Sequence, residues 1–333
     1  MSTHGGADLG GTQPPWPAEA IDLWSGAAGA AARRIDLWRV PAPRGDDLLR
    51  EQLAAALDLE PDRLTIVGSV RAAAVSYARR CARIVLERPG WQGLTAALAD
   101  SGARVERAGT AELARAGGPA GTLLWLTSPH RNPDGHTLDV GLVEALAGQL
   151  KSGRRVVLNE AYRWFGAGPR VPGADLVGSL HKLGGVGSRI GWVHSADFFE
   201  RAVPELVGCT PSAVWQHAWG RFLAHGGLHL LHAAVVAPAL AAGDAFDAAA
   251  GLVSMAAPHR LLRLPAGTRE AEAVRRLAAE GWSVGPGSAF DAEVPSIRVS
   301  FLGVEPEQAV AFAAALDAAG LLEEAVAHGG AGT

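Results

Sequence analysis

The chain has 333 residues and a net charge of −4, and 48% of its residues are hydrophobic. This composition is typical of a soluble globular protein long enough for a large domain and a smaller one. Because no basic excess is available to neutralise phosphates, a nucleic-acid-binding surface is excluded. Short apolar runs and the lack of a secretory signal at the start predict a cytoplasmic protein without a membrane span. Cys81 and Cys209 are far apart and lack metal-ligand spacing, so we expect buried, reduced thiols and no metal site.

Residues 1–45 are rich in Gly, Pro and Ala, which predicts an N-terminal arm with little structure of its own. From residue 46 to about 203, an amphipathic helix is followed by short apolar segments that alternate with helical ones. Strands are predicted at 64–67, 84–86, 104–106, 122–126, 155–158, 175–179 and 189–193, and helices at 46–57, 71–81, 91–101 and 140–151. This alternation predicts an α/β fold with a three-layer, mainly parallel sheet.

Residues 204–333 are predicted to form linking helices, to about residue 253, and then a smaller C-terminal α+β domain. Its strands are expected at 260–264, 282–284 and 296–301, and its helices at 269–280 and 305–319. Ligands of parallel sheets bind at the carboxyl ends of the strands, so a functional site is expected in the segments that follow the strands of the large domain.

Lysine is scarce in this chain. Only Lys151 and Lys182 are lysines among the 30 basic residues, and the others are arginines. Arginine stays protonated, whereas lysine can lose its proton and form a Schiff base, so a retained lysine indicates chemistry that arginine cannot perform. Lys151 follows an amphipathic helix and is interpreted as a solvated helix end, whereas Lys182 lies among glycines.

The segment from Ser179 to Trp192 places a serine three residues before Lys182 and Arg189 seven residues after it. The glycines between them allow the backbone to approach a ligand closely. A lysine for an imine, with a serine and an arginine for a phosphate, is the set that a phosphate-bearing aldehyde cofactor requires. The alternative is a glycine-rich surface loop with incidental charges.

Two other segments are turns that follow strands. Gly68-Ser69-Val70 lies between a strand and a helix, where free amides and a hydroxyl suit a phosphate, although an ordinary strand–helix turn is the alternative. Residues 128–135, with Asn132 at the centre, are by themselves a turn signal.

The last two segments are in or after strong strands. Asn159 and Tyr162 follow the strand at 155–158, and a half-buried phenol at a strand end is the alternative to a functional role. Arg298 lies inside an apolar strand, where an unpaired guanidinium is costly. Its planar fork suits a substrate carboxylate, and a structural ion pair is the alternative.

Taken in order, these segments resemble the fold type I, class I/II aminotransferases over roughly residues 45–320. The resemblance implies pyridoxal 5′-phosphate (PLP) as cofactor, the PLP transferase fold, an amino-acid substrate and a homodimer. It implies that Lys182 is the Schiff-base lysine and proton shuttle, with Tyr162 beside it. The other implied cofactor-binding residues are Ser69, Val70, Ser179 and Arg189 near the phosphate, Trp91 stacked on the pyridine ring, Asn132 and Tyr162 at the phenolic oxygen, and Asn159 at the pyridine nitrogen.

The substrate side is also implied by the resemblance. Arg298 falls where the family holds the substrate α-carboxylate, and the bulky pair His130 and Arg131 is expected to line the substrate pocket. Within the family, the small size and the Asn132–Gly135 segment are similar to the histidinol-phosphate aminotransferase branch. The opening segment from His4 to Gly10 is similar to threonine-phosphate decarboxylase-like proteins.

The chain departs from the family at two further positions. Asn159 replaces an aspartate that pairs with the pyridine nitrogen, which predicts a cofactor that is a poorer electron sink. Val40 stands where relatives often carry a tyrosine that reaches the neighbouring subunit's cofactor. The expected function is a biosynthetic, aminotransferase-like PLP enzyme. A PLP-dependent lyase, such as a decarboxylase or an eliminating cyclase, and a weakly catalytic PLP-binding partner protein stay open as alternatives.

Overall fold

The computed structural model describes residues 6–115, 119–199 and 210–322, and the predicted thiol of Cys209 lies outside them. The strands of the larger sheet are β1 (Leu64–Val67), β2 (Arg83–Arg88), β3 (Arg104–Gly109), β4 (Leu123–Thr127), β5 (Arg155–Asn159), β6 (Asp175–Ser179) and β7 (Gly191–His194). Their order across the sheet is β1-β7-β6-β5-β4-β2-β3. Neighbouring strands from β3 to β6 are parallel, and β7 is antiparallel to both of its neighbours. The predicted mainly parallel sheet is therefore confirmed.

Helices cover both faces of this sheet. They are α1 (Ala18–Ala32), α2 (Asp47–Leu57), α3 (Val70–Ala78), α4 (Gln92–Leu98), α5 (Thr110–Arg115), α6 (Val140–Lys151) and the short α7 (His181–Gly184). Apolar residues of α3 and α4 pack with the sheet in one core cluster, and those of α5 and α6 pack with it in another. The layers are thus helix, sheet and helix. The six-residue α5 was not predicted, because so short a segment shows no clear periodicity.

The prediction for the N-terminal arm is corrected in part. Residues 18–32 form the regular helix α1, because a run of alanines and other good helix formers outweighs the two glycines within it. The rings of Trp16 and Trp24 are partly buried within the chain, against Trp219 and Phe222. The pattern missed this because the residues that cover the rings lie about 200 positions later in the sequence.

Two helices connect the larger sheet to the second domain: α8 (Ala213–Ala224) and α9 (Gly227–Ala249), which contains a π-helical turn at His232–Val236. By length and composition, α9 is the one helix of the described chain that is apolar enough to cross a membrane. Its first half packs in the core cluster of the large domain through Leu231 and Val235, and Phe246 packs in that of the small domain. These contacts are those of a core helix that links two domains.

The small domain contains β8 (His259–Arg263), β9 (Gly285–Pro286) and β10 (Ser296–Ser300) in the order β8-β10-β9, with α10 (Glu270–Ala279) and α11 (Pro306–Ala318). The strand predicted at 282–284 is displaced to Gly285–Pro286, since Ser283 instead pairs with the N-terminal arm at Asp8. The arm therefore adds to the edge of the small domain before it reaches α1.

Replacing Trp24 with alanine tests the aromatic packing of the arm. The ring of Trp24 lies 4.7 Å from that of Trp219 and 4.9 Å from that of Trp215. Loss of such a ring is expected to reduce the free energy of unfolding by about 3 kcal/mol. Trp38 belongs to the same arm but its surface is 66% exposed, so Trp38→Ala is expected to change this energy by less than about 1 kcal/mol. Denaturant titration measures both variants, and equal losses would contradict this packing.

Candidate functional site

A cavity of about 580 Å³ opens at the carboxyl ends of β1, β4, β5 and β6. Parallel strands bring these ends to one edge of the sheet, which is where ligands of such sheets bind. The residues predicted to bind a cofactor all line this one cavity: Ser69, Val70, Trp91, Asn132, Asn159, Tyr162, Ser179, Lys182 and Arg189. Residues that are up to 120 positions apart in the chain are thus brought together as the resemblance implies.

One end of the cavity is built to receive an anion. Ser69 caps α3, with its hydroxyl accepting the Ala72 N–H at 3.1 Å, so the free amides of the first turn face the cavity end. Ser188 also lines the cavity, and its buried hydroxyl has no hydrogen-bond partner among the described residues. Arg189 completes this end. A side chain at Gly191 would meet the Ser69 backbone at 3.1 Å, so glycine there allows β7 to approach this loop.

Lys182 lies in α7, between this anion-binding end and Tyr162. Its Nζ is 5.1 Å from the centre of the Tyr162 ring, and no carboxylate of the described chain pairs with it. His181 precedes it and also lines the cavity. Burial, with Lys182 and Arg189 nearby, lowers the pKa of His181 to about 4. The imidazole is therefore neutral at physiological pH.

Arg298 lies on β10, behind the cavity wall, and does not line the cavity itself. Its Nε donates to the Asn132 carbonyl oxygen at 3.2 Å, and its Nη1 donates to the Gly10 carbonyl at 2.7 Å. Tyr162 contacts the same guanidinium. Burial lowers the pKa of Arg298, against the opposing effects of Tyr162 and of the Asp8 carboxylate. Arg298 is a buried cation to which no described carboxylate is hydrogen-bonded, an arrangement that fits an incoming carboxylate.

Asn159 and Glu160 are consecutive but have opposite surroundings. The Asn159 carbonyl oxygen accepts the Ala161 N–H at 3.2 Å, and the Asn159 amide nitrogen has two hydrogen-bond donors to offer the cavity. Glu160 is buried away from the cavity and is paired with Arg163 and Arg170. The neighbouring carboxylate therefore cannot take over the position that Asn159 occupies.

Trp91 forms part of the cavity wall near the mouth, where 46% of its surface is exposed. The guanidinium of Arg71, in the first turn of α3, lies 5.0 Å from the centre of the Trp91 ring. A side chain at Gly93 would collide with this ring at 2.2 Å, so glycine there is needed for the observed ring position. The ring presents a flat apolar surface to the cavity, and Arg71 adds a cation at its mouth.

The structure does not support the expectation that His130 and Arg131 line the pocket. Neither residue lines the cavity, and both are buried beneath it. Arg131 is paired with Asp134 and lies 3.6 Å from a carboxylate oxygen of Glu87. The turn is too tight to present both bulky side chains to the cavity. Asp134, three residues later, and the buried Glu87, distant in sequence, hold Arg131 in place. Burial raises the pKa of Glu87 to about 7, against the opposing effect of Arg131.

Several residues of the site were not given a role in the sequence analysis. Arg71, Thr127, His181 and Ser188 line the cavity. His259 lies behind Tyr162, with ring centres 4.8 Å apart, and its Nε2 bonds to the Arg131 carbonyl at 2.6 Å. The position of His181 next to Lys182 was a usable signal. The contact of His259 with Tyr162 depends on tertiary packing, and no spacing in the sequence indicates it.

Charge distinguishes this cavity. Among its described lining residues are Arg71, Lys182 and Arg189, and none is an aspartate or a glutamate. The cavity therefore combines an amine that can act as a nucleophile or base with hydroxyls, amides and cations for anionic groups. It fits a flat ligand with a phosphate at one end, next to a smaller molecule that bears a carboxylate.

No protein-family model and no curated protein sequence matches the chain. Among solved structures, it resembles the α-aminoadipate aminotransferase of Thermus thermophilus, with a TM-score of 0.76, 20% identity, and coverage of 96% of this chain and 94% of that one. It also resembles the aspartate aminotransferase of Thermus thermophilus, solved with maleate, with a TM-score of 0.77, 20% identity, and coverage of 95% and 92%. For the multiple substrate aminotransferase of Thermococcus profundus these values are 0.76, 18%, 93% and 90%. The chain thus has the α/β fold of these aminotransferases, which confirms the predicted fold class.

Proposed function

We propose that this protein is a PLP-dependent, aminotransferase-like enzyme that acts on an amino acid. The observation that carries the proposal is the single cavity in which Lys182 lies between a phosphate-binding end and the wall that covers Arg298. A lysine that no carboxylate of the described chain pairs with, next to donors suited to a phosphate, is what this cofactor requires. The likeness of the fold to solved aminotransferases supports the same function.

The residues present fit the cofactor. The orphaned hydroxyl of Ser188, the amides at the start of α3, Ser69 and Arg189 would hold its phosphate. The Trp91 ring offers a face for stacking. When bound, pyridoxal 5′-phosphate supplies an aldehyde for a lysine amine and an aromatic ring that delocalises negative charge from the substrate α-carbon.

Protein groups supply the remaining chemistry. Lys182 Nζ would hold the cofactor covalently, and as a free amine it would be the base that moves the proton at the substrate α-carbon. Arg298 would hold the α-carboxylate, as the planar fork of a guanidinium matches both oxygens. Tyr162 contacts Arg298 and lies against Lys182, so it can orient both ends of the reacting substrate.

We propose that Asn159 keeps the pyridine nitrogen unprotonated. The Asn159 oxygen is already bonded to the Ala161 N–H, so the amide presents a donor to the ring nitrogen. A protonated nitrogen would face that donor and would add a cation to a wall that already has three and, within the described residues, no carboxylate. An unprotonated ring nitrogen would withdraw electrons less strongly from the substrate α-carbon and would therefore slow transamination.

Asn159 is also the observation that favours the second candidate, a PLP-dependent lyase with less demand for delocalisation, such as a threonine-phosphate decarboxylase-like enzyme. His4 and Gly5, which begin the similarity to those proteins, lie outside the described residues. Product analysis separates the two candidates. A keto acid together with the aminated cofactor indicates transamination, whereas CO₂ or an elimination product indicates lyase chemistry.

A homodimer, a cytoplasmic location and a biosynthetic role complete the proposal. Support for the dimer comes from Ile35 and Val40, which are 86% and 74% exposed and lie on the segment after α1 where relatives reach their partner subunit. We expect a dimer at micromolar concentration by light scattering, and Ile35→Asp with Val40→Asp should shift it to monomer because buried carboxylates lack partners. Val253→Asp, at an equally exposed valine elsewhere, should leave the dimer intact. A monomeric unsubstituted protein would contradict the dimer.

Borohydride reduction tests the central lysine. Protein loaded with pyridoxal 5′-phosphate is reduced, digested and mapped by mass spectrometry, and the label is expected on Lys182 because its amine is the one in the cavity. The chain offers a matched control, since Lys151 is the only other lysine.

Lys182→Arg should abolish the label, and Lys151→Arg should retain it. A label on Lys151, or no label on the loaded protein, would overturn the proposed function.

A further inference from the structure

The N-terminal arm makes a tight turn at residues 8–12 that lies against Arg298. The Asp8 carboxylate accepts the Gly10 N–H at 2.8 Å, and the Thr12 hydroxyl donates to the same carboxylate. Leu9 is fully buried in the core of the small domain. Its N–H donates to the Ser283 carbonyl, and its own carbonyl accepts from the Ser300 N–H, both at 2.8 Å. The turn is thus closed by its own side chains and fixed to the small domain.

The same turn determines where the Arg298 guanidinium lies. Nη1 of Arg298 donates to the Gly10 carbonyl at 2.7 Å, while Nε donates to Asn132 in the cavity wall. The arm therefore holds one nitrogen of the guanidinium and the cavity wall holds another. Gly11 follows in a left-handed conformation, with φ of +98°, and a side chain there would lie 3.0 Å from Nη1 and 3.1 Å from the Ser300 hydroxyl.

The arm then continues from the small domain to the helix that carries the lysine. The side-chain amide of Gln13 donates to the Leu183 carbonyl at 2.9 Å, one residue after Lys182. One short segment thus contacts both the cation behind the cavity wall and the helix of the cavity lysine. This placement couples the positions of the two domains at the site.

We infer that the turn at residues 8–12 is a positioning element for recognition of the substrate carboxylate. It acts through Arg298, which it clamps against Asn132 and Tyr162, and Gly11 is required because only a residue without a side chain leaves the guanidinium in place. This inference rests on the proposed function, in which Arg298 holds the α-carboxylate. A guanidinium displaced by a fraction of an ångström loses the paired geometry that makes such a contact strong.

The test compares two ligands of the cofactor-free full chain by calorimetry. N-(5′-phosphopyridoxyl)-L-alanine carries the amino-acid carboxylate, and pyridoxamine 5′-phosphate lacks it. The dissociation constant of pyridoxamine 5′-phosphate divided by that of the adduct therefore reports carboxylate recognition without any turnover. Gly11→Ala is expected to reduce this ratio by about tenfold or more, as Arg298→Ala does, with pyridoxamine phosphate affinity unchanged. Gly102→Ala is the matched control, because Gly102 has φ of +83° with no neighbour within 4 Å, and it should leave the ratio unchanged.

A second pair of variants guards against misfolding of Gly11→Ala. Asp8→Ala removes the acceptor that closes the turn and should lower the ratio, whereas Asp8→Asn keeps an acceptor for the Gly10 N–H and should restore most of it. Unchanged ratios in Gly11→Ala and Asp8→Ala would overturn the inference, and so would tighter adduct binding in Asp8→Ala, which would identify the turn as a competitor of the substrate. If the unsubstituted chain binds neither ligand, it is the proposed function that fails.

Discussion

Positive charge without a matching carboxylate is the constraint on which this site depends. Three cations line the described part of the cavity wall, and Arg298 is buried behind it with neutral hydrogen-bond partners and the Asp8 carboxylate nearby. Isolating such charges from water is costly unless anions complete the site. A phosphate at one end and a carboxylate at the other would do so. The same charge balance disfavours a protonated nitrogen on the ring between them.

The scaffold produces this separation of charge by simple means. At the end of β5 the chain turns so that Asn159 lines the cavity while Glu160, the next residue, is buried with two arginines. Arg131, in the turn after β4, forms ion pairs with Asp134 and with Glu87 on β2. These nearby carboxylates are thus paired with arginines outside the cavity, so the lysine, the arginines and the amide in the wall keep their donors available.

Local signals in the sequence were sufficient for the parallel sheet and, together with the family resemblance, for half of the cavity lining. Short apolar segments in the sequence predicted where β1, β5 and β6 end, and the scarcity of lysine indicated Lys182 as the functional lysine. Interactions between distant segments were not predictable in this way. Trp24 packs against Trp219 on α8, and Arg131 forms an ion pair with Glu87 on β2. Gly10 accepts a hydrogen bond from Arg298, 288 residues later in the chain. Each of these depends on the assembled fold, and no spacing in the chain encodes it.

The protonation state of the cofactor nitrogen tests this account of the site most directly. The protein is loaded with pyridoxal 5′-phosphate labelled with ¹⁵N in the ring, and the ¹⁵N chemical shift is recorded near neutral pH. The unsubstituted protein is predicted to give the shift of an unprotonated nitrogen, and Asn159→Asp to move it toward the protonated value. Asn132→Asp, which adds the same charge elsewhere in the cavity wall, should move it much less. A protonated nitrogen in the unsubstituted protein would contradict the account.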